Sequence, residues 1–169
     1  MSYSSETADK FFGLSEAYFS AAEELARRYA IEHLQEPNYI GSACMFNARL
    51  GVELFLKGMI VLRDPSAKVG THVLEKLAPV FVGLYPESEC AWSVPFTVQV
   101  IGGTEDERST AVEELIKNRP LDQVFRYPTN NAGQPWELVT NFNFSWFVQF
   151  LSGIIQDIKR IKVGAGVAA

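Results

Sequence analysis

The chain has 169 residues, 47% hydrophobic and 21% charged, with a formal net charge of −5. That length suits one domain with a single core, and that balance excludes a disordered chain. A net acidic field does not attract nucleic acid, so any such binding needs a local basic patch, and the tightest basic group is Lys159, Arg160 and Lys162.

From Ala8 to about Leu34, Phe11, Leu14, Tyr18, Ala21, Ala22, Leu25 and Tyr29 recur every three or four residues. That spacing predicts an amphipathic helix, broken at Gln35-Glu36-Pro37-Asn38. A second helix is predicted from Tyr39 to Leu62, apolar on nearly every side, as a helix in the middle of a bundle should be. Its apolar run from Met59 to Leu62 is cut by Arg63 and Asp64, far short of the roughly 20 residues that cross a membrane. Asp64-Pro65-Ser66 ends it, and Thr71 is the predicted N-cap of a third helix that holds Val73, Leu74, Leu77, Val80, Phe81 and Leu84 and stops before Pro86.

The pattern then changes. Phe96 to Ile101 alternates like a short strand and closes on Gly102-Gly103. Thr104-Glu105-Asp106-Glu107 predicts a capped, acid-rich start to a fourth helix that ends near Asn118. Pro120 to Trp136 carries turn chemistry, and a hairpin is predicted with Val124–Tyr127 facing Trp136–Val139. A final helix from about Asn141 to Lys162 sets Phe147, Leu151, Ile154, Ile158 and Ile161 at alternating spacings of four and three. Such a seam packs within a bundle or on a partner chain. The closing VGAGVAA reads as a frayed tail.

The amino terminus has no basic stretch followed by an apolar one, so no secretory signal is expected. Cys44 and Cys90 are isolated and lack CxxC spacing, which favours plain thiols in a reducing cytoplasm. The fold class expected is mainly α: an antiparallel bundle of four to five helices with a small hairpin or strand excursion. One domain is expected over residues 1–169, with 163–169 as a disordered tail.

Three segments carry a family resemblance. They are the run Ala48 to Lys57 (ARLGVELFLK), the helix start Gly70 to Leu77 (GTHVLEKL), and Phe125-Arg126-Tyr127-Pro128. Together they resemble the HEPN superfamily of helical nucleotide-binding and ribonuclease-like domains. The superfamily's ribonucleases carry an Arg, four to six residues, then a His near the start of a late helix. Neither Arg119 nor Arg126 has that His, and Arg27 and Arg28 precede His33 only within the first helix. The resemblance therefore implies a divergent, non-catalytic member: a homodimeric interaction or ligand-binding module. Its partner would be a nucleotidyltransferase or a toxin–antitoxin component, and its ligand a nucleotide or RNA.

The candidate ligand-binding residues are Arg49, Glu53, Lys57, His72, Arg126 and Tyr127. Arg49, Glu53 and Lys57 lie four apart and line one face of the second helix, either as a salt-bridged ladder or as the wall of a polar groove. His72 beside a helix start suits either an interhelical hydrogen bond or contact with a phosphate or ribose. Arg126, Tyr127, Asn130, Asn131, Gln134 and Trp136 form either a plain hairpin turn or a loop able to bind phosphate and stack a base. The enzymatic alternative is a degenerate ribonuclease with Arg126 on phosphate, His72 moving a proton and Glu53 orienting it. A third reading is a nucleotide pocket lined by Arg49, Arg126 and Tyr127. No Glu-x-x-His pair, zinc spacing, phosphate loop or dinucleotide fingerprint occurs, so no metal or cofactor is expected.

Overall fold

A computed structural model describes residues 3–32, 37–98, 104–118, 121–125, 132–133 and 142–167. Its elements are α1 (Ser5–Glu32), α2 (Pro37–Arg63), α3 (Leu74–Leu84), a 3-10 turn at Ser88–Cys90, α4 (Glu105–Asn118), α5 (Leu121–Val124) and α6 (Phe144–Gly164). The fold is mainly α, a helical bundle founded on the packing of α1 against α2.

α1 and α2 run antiparallel. Tyr3 N donates to Pro65 O at 2.8 Å at one end. Further along, the Phe12 and Phe55 rings meet with centroids 6.0 Å apart, and buried Ser15 Oγ donates to Gly51 O at 2.7 Å. Glycine makes this approach possible, because a Cβ at Gly58 would fall 2.5 Å from a Phe12 ring carbon. Gly58→Ala is therefore expected to destabilise by about 1–3 kcal/mol through overpacking. In urea unfolding, Gly13→Ala is the control: nothing lies within 4 Å of a Cβ there, and helix propensity alone should stabilise by roughly 0.5–1 kcal/mol.

The all-round apolar character of α2 has a structural reason. Ala48, Val52, Phe55, Leu56, Met59 and Ile60 are all buried, since α1, α3 and α6 each cover part of its surface. The chain after α2 turns at Asp64, whose carboxylate accepts from Ser66 N at 2.9 Å and Ser66 Oγ at 2.6 Å. Those bonds hold the Asp64 carboxyl below its ordinary pKa. Residues 65–73 then run back along α2, burying Val69 and bringing His72 to the level of Arg49 and Glu53. α3 turns again and runs parallel to α2, where Tyr85 Oη donates to Met59 O at 2.9 Å.

α6 lies antiparallel to α1 and starts beside its far end, with Tyr29 stacked on Phe144 at 5.6 Å. Its seam residues Phe147, Leu151, Ile154, Ile158 and Ile161 are all buried within the monomer. Of the two readings left open for that seam, this is packing within the bundle. Residues 88–98 pack along α6 and toward α2 and α3, with Arg160 Nη2 donating to Ala91 O at 2.9 Å, Phe96 edge-on to Phe150 at 5.7 Å and Trp92 edge-on to both Phe55 and Phe81.

The sequence places the long helices well and three features less well. The strand expected from Phe96 is not formed in its described part: Phe96 has φ 63°, in the left-handed region, and Thr97 Oγ1 donates back to Val94 O at 2.7 Å, closing a turn. Alternation of residue types could not reveal a backbone held in that conformation at a cost of about 1–3 kcal/mol. Gln99 to Ile101 lie outside the described residues, and so does most of the expected hairpin; Val124, assigned to its first strand, is helical in α5. Among the described residues there is no strand. The N-cap of α3 is Val73 rather than Thr71, because Thr71 Oγ1 accepts from Val73 N at 3.1 Å and so completes a turn one step before the helix.

The start of α4 follows its sequence signature. Thr104 N donates to Glu107 Oε2 at 2.7 Å and Glu107 N donates to Thr104 Oγ1 at 3.3 Å, a reciprocal capping box. At the other terminus, α6 continues through Gly164, and Val167 N donates to Lys162 O at 2.8 Å.

Candidate functional site

One turn of α2 separates Arg49 from Glu53 and another separates Glu53 from Lys57, so the three share the face that looks toward residues 71–73. All three are buried, with side chains only 5%, 2% and 7% exposed. The single carboxylate organises the group. Glu53 Oε1 accepts from Lys57 Nζ at 2.8 Å and from His72 Nδ1 at 2.9 Å, while Oε2 lies 3.7 Å from Arg49 Nη1. Arg49 Nη2 in turn donates to the His72 carbonyl at 2.8 Å, so one guanidinium holds the backbone of the residue whose ring Glu53 holds.

His72 is where the buried network meets the surface, for its side chain is 60% exposed. Glu53 sits between two cations, and a carboxylate paired in this way only accepts hydrogen bonds. The proton of a neutral His72 is therefore assigned to Nδ1, leaving Nε2 as an acceptor; protonation would turn Nε2 into a donor. The ring is thus fixed in tautomer and direction from behind. Placing three ionised side chains inside a protein costs several kcal/mol per ion before pairing, and a well-packed apolar trio is often as stable or more so.

Of the six residues singled out from the sequence, the structure brings together Arg49, Glu53, Lys57 and His72. Arg126 and Tyr127 lie outside the described residues, as does His33. The ladder is salt-bridged and buried, and His72 at its end is exposed. The thiols offer no nucleophile, since burial pushes Cys44 up to about 12 and also raises Cys90. Among the described residues no three His, Cys, Asp or Glu side chains could jointly hold a metal ion, and no helix is long and apolar enough to cross a membrane.

A second feature escaped the sequence reading. A cavity of about 590 Å³ opens between α1, α2 and α6, with Phe12, Phe19, Phe55, Ile155 and Ile158 among its walls. Lys162, assigned from sequence only to the helix dipole, borders it and is just 9% exposed. A signal for this was present, because Ile155, Ile158, Lys159 and Lys162 follow the three-four spacing of a single helix face.

Compared with known proteins, the chain matches no family model, no curated protein and no solved structure.

Proposed function

We propose that this chain is a HEPN-like ligand-binding module whose recognition site is the outer end of the α2 network, and whose ligand is a ribonucleotide, free or within an RNA. The observation that carries the reading is the 2.9 Å contact of Glu53 Oε1 with Nδ1 of an exposed His72, which in the neutral ring with its proton on Nδ1 leaves Nε2 as an acceptor. The hydroxyl of a ribose is the group such an acceptor takes, and the 2′-OH is what distinguishes RNA from DNA. The first N–H groups of α3, two residues beyond His72, point the same way as a helix start that favours an adjoining phosphate. The acidic net charge leaves little non-specific attraction, which suits a site of local chemistry rather than a broad basic surface.

The HEPN-like reading extends to partners of the same kind, a second copy of the chain, a nucleotidyltransferase or an antitoxin. With the α6 seam used internally, such contacts fall to exposed apolar side chains such as Val80 and Val82 on α3. A degenerate ribonuclease is the second reading, favoured by the same bond, since an imidazole oriented by a buried carboxylate is equally a proton acceptor for a 2′-OH.

The test is fluorescence anisotropy with a labelled single-stranded RNA and its deoxy counterpart. RNA should bind more tightly than DNA, and His72→Ala should weaken RNA binding by about three- to tenfold, one hydrogen bond's worth, while leaving the DNA value unchanged. Equal binding of the two nucleic acids, unaffected by His72→Ala, defeats the proposal. Shortened RNA products that depend on His72 would replace it with the enzymatic reading.

A further inference from the structure

The cavity between α1, α2 and α6 has a direction. α1 supplies Phe12, Ser15, Glu16, Phe19 and Ser20, and α6 runs antiparallel to it, so Lys162 lies at the Phe12–Glu16 end and Ile155 toward Phe19 and Ser20. One end therefore carries the Lys162–Glu16 pair, and the wall beyond it is mostly aromatic and aliphatic. Its volume, about 590 Å³, falls within the range of small-molecule sites.

The Lys162 ammonium is incompletely used. It donates to Glu16 Oε1 at 3.3 Å, at the long limit of such a bond, and lies 5.3 Å from the centre of the Phe12 ring. Glu16 itself is 68% exposed, so this pair is weakly constrained. An ammonium has three protons to donate, and among the described residues only Glu16 accepts one. A residue 91% removed from solvent, with donors remaining, borders a cavity whose walls are mainly phenylalanine and isoleucine, with Ser15, Glu16, Ser20 and Lys159 as its other polar side chains.

We propose that this cavity binds a medium-chain aliphatic carboxylate, with the carboxylate on Lys162 and the chain along Phe12, Phe55, Ile158, Ile155 and Phe19. The solvent-exposed Glu16 side chain swings aside and Lys159 at the rim adds a second positive charge. A carboxylate matches the single buried ammonium of Lys162 in charge, and a phosphate head tests whether a second negative charge is accepted there. The site is separate from the His72 site and stands or falls independently of it.

Isothermal titration of the intact protein with hexanoate, octanoate, decanoate and dodecanoate tests it, with decanol and decyl phosphate as head-group controls. Affinity should rise roughly fourfold per added methylene until the cavity is filled and then level off. Decanoate should bind at least tenfold more tightly than decanol, and Lys162→Met should abolish that preference while retaining decanol binding. Retained decanol binding also shows that the variant is folded, and Ser20→Trp, which narrows the apolar end from an exposed position, should shorten the optimal chain. No binding of any carboxylate, or a preference for carboxylate over decanol unchanged in a folded Lys162→Met, overturns the proposal.

Discussion

Glu53→Gln should lower the stability of the folded chain by about 3–5 kcal/mol, a fall in melting temperature of roughly 10 °C for a domain of this size. The substitution keeps shape but turns one acceptor oxygen into a donor and deletes the charge that Lys57 and Arg49 face from positions 7% and 5% exposed. Two cations would then remain inside the bundle without their carboxylate. The companion experiment replaces Arg49 with Met, Glu53 with Leu and Lys57 with Met together. Because the desolvation cost disappears with the charges, the triple variant should be as stable as the parent or more stable by about 1–4 kcal/mol. Calorimetry of both variants separates two explanations of the network. If the single change is costly and the triple change is not, the charges are retained for what they do at His72 and not for folding. A Glu53→Gln protein that melts with the parent would show that the network is open to water and would remove the basis for a fixed imidazole.

The contents of that network were legible in the sequence, and its burial was not. Spacing by fours placed Arg49, Glu53 and Lys57 on one helix face without any knowledge of tertiary structure. Whether that face met water or another segment depended on where residues 65–73 run, which is a property of the whole chain. For an exposed ladder the same three residues would contribute about 0.2–0.5 kcal/mol per pair; in the structure the path of Val69 to Val73 covers them and raises the energies at stake roughly tenfold. His72 was found through its place beside a helix start, yet the bond that orients it comes from Glu53, nineteen residues earlier.

Helix boundaries were legible for a similar local reason. The Thr104–Glu107 capping box and the Asp64-Pro65-Ser66 break are written in consecutive residues, and the structure follows them. The strand expected at Phe96 does not form because an alternating pattern describes side chains, whereas the backbone there takes φ 63° in a turn closed by Thr97 Oγ1 on Val94 O. Lys162 shows the converse. Its helix was predicted correctly, but a lysine on an apolar face is identified as buried only when the partner helix is known.

Phe147→Ala should cost about 3–5 kcal/mol and leave the oligomeric state as it is in the parent. The ring is fully buried, with Phe142 at 5.2 Å and Phe150 at 6.4 Å, and it stands at the point where α6 enters the bundle. Truncation removes the largest side chain of the α6 seam, and Phe142, which lies hard against Gly41, has little room to collapse into the space. Light scattering alongside chemical denaturation gives the two readouts. Trp146, the preceding residue, is the informative control: it is 58% exposed and stacks on Phe150 at 5.2 Å. Trp146→Ala should therefore cost only about 1 kcal/mol, the worth of an aromatic pair at a surface. The ratio between neighbours follows from helical geometry, since a step of one residue turns a side chain by about 100° from the core toward solvent. If Phe147→Ala instead dissociated an assembly with little loss of monomer stability, the seam would be an interface between chains and α6 would not belong to the monomer core. Unequal costs at Phe147 and Trp146 with unchanged mass would place any self-association on other surfaces, with exposed Val80 and Val82 of α3 the first to alter.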